Sequence, residues 1–151
     1  MSPIKIALQK PANLTTASKY TVFNGFVYFG LGVLLILWPG AIQTLLGERA
    51  FVGDEQGLMR VIGMAVAIIG YYLLVGGHSG SKQATAASVI DRLTLVPLVL
   101  LPLTLAGVFP RLLVAIVIVD ACLAISTWVL LNLGEKTEAL STRAGRPGEL
   151  N

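Results

Sequence analysis

The stretch Leu112–Leu131, LLVAIVIVDACLAISTWVLL, decides the fold. It is a run of membrane-spanning length, since about 20 apolar residues cross a hydrocarbon core roughly 30 Å thick. Its single charge is Asp120. Asp120 lies nine residues beyond Arg111, about 13 Å along a helix axis and so close to the midplane. A carboxylate at that depth costs about 2.5 to 3.5 kcal/mol on an insertion scale. It is expected to face other helices and to find a partner.

Three more uncharged blocks surround this one: Tyr20 to Gly47, Val61 to Ser81 apart from His78, and Leu93 to Pro110. The spans are predicted at about 21–38, 58–75, 89–107 and 112–131, within a membrane domain of 20–133. Residues 1–19 form a polar, basic leading segment, and 134–151 are expected to be a disordered tail. The fold class is therefore all-α, a polytopic antiparallel bundle of four transmembrane helices. A β-barrel would show shorter segments of alternating polarity. Only 13% of the 151 residues are charged and mean hydropathy is +0.79, against about a quarter charged in soluble domains.

The connections carry the next signals. Ile42, Leu45 and Leu46 share one helical face, which predicts a short interfacial helix after the first span. Trp38 closes span one at an interface, and Pro39-Gly40 stops it. Gly25, Gly30 and Gly32 in span one, and Gly63, Ala67 and Gly70 in span two, offer small faces for close helix contact. Pro97 and Pro102 predict a bent rather than a broken third span. The one cysteine, Cys122, has no cysteine to pair with and is expected to be a small packing residue.

Lysine and arginine set the expected orientation. Both tails and the middle loop share a side with seven basic residues, Lys5, Lys10, Lys19, Lys82, Lys136, Arg143 and Arg146, whereas the opposite side has two, Arg49 and Arg111. Both termini are thus expected in the cytoplasm. The same topology accounts for the net charge of +3 without nucleic acid as a partner.

The partner expected for Asp120 is Arg60, because spans two and four both have an end at the outer face and the arginine can reach inward. Asn24, Tyr71, Thr104 or Thr127 could add hydrogen bonds. The pair reads either as a structural key that fixes which helices pack or as a site of binding or transport. Asp91 and Arg92 sit at the expected start of span three, where an acidic first turn suits the helix dipole and the arginine reaches headgroups. With Tyr71 they are candidate ligand or lipid contacts. His78 is a lone histidine with no second ligand at metal spacing, so no metal and no cofactor are expected. No Walker loop, HExxH or Gly-x-Ser-x-Gly occurs, so a non-enzymatic protein is expected.

The run from Arg60-Val61-Ile62-Gly63 to Gly70-Tyr71-Tyr72, then Asp91-Arg92-Leu93 with Pro97, Gly107 to Pro110, and Asp120 to Trp128 resembles a group of small bacterial four-helix membrane proteins. More loosely it is similar to the DoxX-like four-helix proteins. The likeness covers roughly Val22 to Leu131 and leaves out both tails. It implies a four-helix fold in a bacterial inner membrane, and no reaction. The function classes that follow are an accessory or interaction subunit, contacting another membrane protein or a second copy, a proton-linked transporter acting as an oligomer, and a lipid or quinone binder. The lipid bilayer is the partner common to all three.

Overall fold

The structure is a computed structural model and describes residues 14–144. Among the described residues the regular structure is entirely helical: α1 Thr16–Leu37, α2 Ala41–Leu46, α3 Glu55–His78, α4 Lys82–Leu105 and α5 Pro110–Ala144. Four of these, α1, α3, α4 and the Pro110–Gly134 part of α5, are long and apolar enough to cross a membrane. This is the four-helix architecture of a multi-pass membrane protein.

Side chains set the helix ends. Thr15 caps α1, its hydroxyl accepting from the Ser18 amide at 3.1 Å. Helix α1 stops at Trp38-Pro39, because proline cannot donate to the ladder. Ser81 caps α4, accepting from the Ala84 amide at 3.2 Å. This cap starts the third long helix seven residues ahead of the position 89 expected from hydropathy, and the small residues 82–88 are helical. Pro97 and Pro102 lie within α4, which continues through both. Helix α5 continues past its apolar part to Ala144, where the sequence led us to expect a disordered tail. The lysines at 5 and 10 and the last seven residues lie outside the described part of the chain.

The ends of α1 and α5 meet under the long α2–α3 connection. Leu35, Ile42, Met59, Phe109 and Leu112 form the apolar cluster there. Phe109 holds a positive φ of 39°, a conformation costly for an aromatic residue. Its ring is fixed edge-on by Phe51 at 5.8 Å and by the Arg49 guanidinium at 4.7 Å. Glu48 caps α5 by accepting from the Leu112 amide at 2.8 Å, a favourable place for an anion. Arg111 donates to the Gly47 carbonyl. Arg49 is gripped by Glu55 through contacts of 2.5 and 2.7 Å, and this hydrogen-bonded carboxylate holds the guanidinium above its ordinary pKa.

The most extensive helix contact joins α1 to α3, and the next joins α4 to α5. The first is a backbone contact. A Cβ on Gly25 would lie within 3 Å of Gly70 and Leu74, one on Gly32 within 3 Å of Gly63 and Ala67, and one on Gly77 within 3 Å of Ser18. These small residues recur every seven positions on both antiparallel helices, which keeps one seam in register along the pair. Gly30 belongs to the outside of α1, with nothing within 4 Å of its Cβ position. Gly70→Leu should destabilise the protein by about 1–3 kcal/mol through overpacking. Gly30→Leu should leave stability unchanged, and thermal unfolding of the two variants in detergent checks the contrast.

Candidate functional site

The charges within the spans separate into a closed pair and an open carboxylate. Asp120 of α5 pairs with Arg92 of α4, Nε to Oδ1 at 3.5 Å, and the two residues are only 3% and 5% exposed. Arg60, the partner expected from sequence, is exposed near the start of α3 beside Gly53, Asp54, Gln56 and Gly57. The physical reason is helix order. Helix α3 packs on α1 and barely touches α5, while the main neighbour of α4 is α5. Starting α4 at Lys82 puts Arg92 ten residues into its helix, about 15 Å along the axis. It is therefore not an anchor at the membrane surface.

Other groups close the pair in. The Arg92 guanidinium carbon lies 4.5 Å from the centre of the Tyr28 ring on α1, within cation–π range. A separate buried link joins α1 to α5, with Asn24 Nδ2 donating to Thr127 Oγ1 at 3.3 Å. Thr104 instead donates back to the Leu100 carbonyl. Tyr71 lies outside, its ring against that of Tyr72 with centroids 6.0 Å apart. Removing one member of a buried pair leaves the other charge uncompensated, which costs about 3–5 kcal/mol.

Asp91 precedes Arg92, yet a helical step of about 100° turns it elsewhere. It lines a cleft of about 440 Å³ between α3 and α4, floored by α1, together with Thr21, Tyr72, Thr85 and Ser88. The cleft exists because α3 and α4, although joined by the short turn at 79–81, make few mutual contacts. Of the three candidate contacts read from sequence, Asp91 is at the cleft, Arg92 is committed to Asp120, and Tyr71 is beside the lining residue Tyr72. Thr85 and Ser88 are among the cleft hydroxyls that the sequence does not point to. Their signal was the Ser81 cap, which makes 82–88 a helical face rather than a loop.

His78 is the last residue of α3, and no group of three or more metal-binding side chains occurs among the described residues. Cys122 is exposed on α5 rather than packed inside. A smaller cleft of about 170 Å³, almost wholly apolar, lies between α1, α2 and α5 beside Tyr28 and Leu46. Comparison with protein-family models, with curated proteins and with solved structures returns no match.

Asp120→Ala should lower unfolding stability by about 3–5 kcal/mol, whereas Arg60→Ala should change it by less than about 0.5 kcal/mol, as expected of a surface substitution. Denaturant unfolding in detergent micelles distinguishes the two.

Proposed function

We propose that this chain is a non-enzymatic multi-pass protein of a bacterial inner membrane that binds a lipid-like amphiphile in the cleft between α3 and α4. The observation that carries the reading is the cleft itself: about 440 Å³ between two apolar helices, with a carboxylate and several hydroxyls on its walls. Ligand sites combine an enclosing apolar shape with a few placed polar groups, and volumes of about 300–1,000 Å³ are usual. The flanking surfaces of α3 and α4 expose Ile69, Leu95 and Leu98, which suits acyl chains lying beside the protein.

Transport driven by Asp120 has less support. Asp120 is enclosed with Arg92 as its counter-ion and lines none of the clefts described above. An accessory subunit would use the same exposed faces of α3 and α4, and a partner helix entering the cleft would displace the amphiphile. The resemblance to DoxX-like proteins agrees with a bacterial inner membrane and adds no ligand.

The positive-inside rule supports cytoplasmic termini, which puts the 79–81 turn and the neighbouring mouth of the cleft on the cytoplasmic side. A reporter fused after Asn151 should therefore be active only in a cytoplasm-dependent form. Activity restricted to an export-dependent reporter would reverse the orientation. Ser88→Trp should fill the cleft and abolish lipid retained by the purified protein, read by native mass spectrometry after release from nanodiscs. Undiminished lipid in a folded Ser88→Trp protein would refute the lipid-binding reading.

A further inference from the structure

We infer that the cleft between α3 and α4 selects the primary ammonium headgroup of a bilayer lipid, with Asp91 as its counter-ion. The inference rests on the lipid-binding reading above and specifies the ligand's polar group.

Three features of the cleft point to a hydrogen-bond-donating cation. First, among the described residues the only charged one lining it is Asp91. The adjacent cation, Arg92, has its guanidinium in the bundle against Asp120 and the Tyr28 ring, and acts on Asp91 by charge attraction without an ion pair between them. Secondly, the buried threonines of the cleft present acceptors. Thr21 donates its hydroxyl hydrogen to the Ala17 carbonyl at 2.9 Å, and Thr85 donates its own to the Ser81 carbonyl at 3.1 Å. Each hydroxyl then keeps its lone pairs and has no hydrogen left to give. A carboxylate beside hydroxyls that have no hydrogen to give favours a hydrogen-bond-donating ammonium and repels a phosphate or carboxylate. A quaternary ammonium brings the charge without the donors.

Thirdly, the depth fits a lipid. From Asp91 to the end of α4 at Leu105 is fourteen residues, about 21 Å along the axis. In a core about 30 Å thick, Asp91 then lies on the 79–81 side of the midplane, below the level of the headgroups. A carboxylate exposed at that depth in an otherwise apolar helix surface is costly unless a cation reaches it. A headgroup drawn slightly inward supplies one while its chains remain among the exposed leucines of α4.

The test uses the full-length protein in nanodiscs of phosphatidylglycerol containing equal amounts of phosphatidylethanolamine and phosphatidylcholine with identical acyl chains. These two lipids differ in the ammonium donors. Native mass spectrometry reads which lipid stays bound. Wild type should retain phosphatidylethanolamine over phosphatidylcholine by about tenfold or more, the scale of a charge-assisted hydrogen bond. Asp91→Asn should lose that preference, and Asp91→Glu should keep it. Equal retention of the two lipids by wild type, preferential retention of phosphatidylglycerol, or an unchanged preference in Asp91→Asn would each overturn the inference. If Asp91→Asn is not recovered folded, Thr85→Val decides: a reduced preference supports the assignment and an unchanged one overturns it. Lipid that is lost in Ser88→Trp but shows no headgroup preference in wild type would leave the cleft as a lipid site and remove only the ammonium assignment. Lipid unaffected by Ser88→Trp would remove both.

Discussion

Two opposite charges buried between α4 and α5 constrain the rest of the bundle. Neither Arg92 nor Asp120 can face lipid without a large desolvation penalty. Each can be accommodated only if its helix turns that face toward the other. The pair thus fixes the rotation of both helices about their axes, which apolar packing alone defines weakly in a lipid solvent. Tyr28 then brings α1 against the same face, its ring over the guanidinium. The ion-pair distance of 3.5 Å is long for a strong hydrogen bond, so the contribution is mainly electrostatic. Such a pair adds little net stability over an apolar replacement, yet it strongly penalises the wrong helix arrangement.

The second constraint is the glycine seam between α1 and α3. Backbones approach there because Gly25, Gly32, Gly63, Gly70 and Gly77 carry no side chain to keep them apart. The bundle is therefore built from two differently joined pairs, one held by backbone contact and one by a buried ion pair. Helix α1 links them. No comparable device joins α3 to α4, and the hairpin between them stays parted near its turn. The cleft is the consequence of where the strong contacts lie. The polar residues that have no place in either seam, Asp91, Ser88 and Tyr72, line it.

Much of this was legible from sequence. The four apolar runs gave the spans, the alternation of spans and short turns gave an antiparallel bundle, and Gly25, Gly32, Gly63 and Gly70 marked a close contact that the fold contains. The depth of Asp120 in an apolar run marks it as a group needing a partner, and it has one. Hydropathy rises only at Val89, so the sequence points to Arg92 as a surface anchor rather than as that partner. The Ser81 cap, a local hydrogen bond, starts α4 earlier and carries Arg92 inward. Arg60 failed for a different reason: chain connectivity says which helices share a membrane face, but not which are diagonal in the bundle. Gly30 has the same composition signal as Gly25 and Gly32, yet only the seven-residue spacing of the latter two selects the contact face. The helical run to Ala144 was missed because a polar segment of mixed charge is compatible with either helix or coil.

The most direct test of the pairing is a charge exchange, followed by unfolding in detergent and by recovery of folded protein from the membrane. Arg92→Asp and Asp120→Arg should each be poorly folded alone, because each places two like charges in the buried site. Combined, they should restore a folded protein, while Asp120→Arg combined with Arg60→Asp should not. Rescue by the Arg60 combination, or no rescue by the Arg92 combination, would contradict the claim that the Arg92–Asp120 pair orders the helices of this protein.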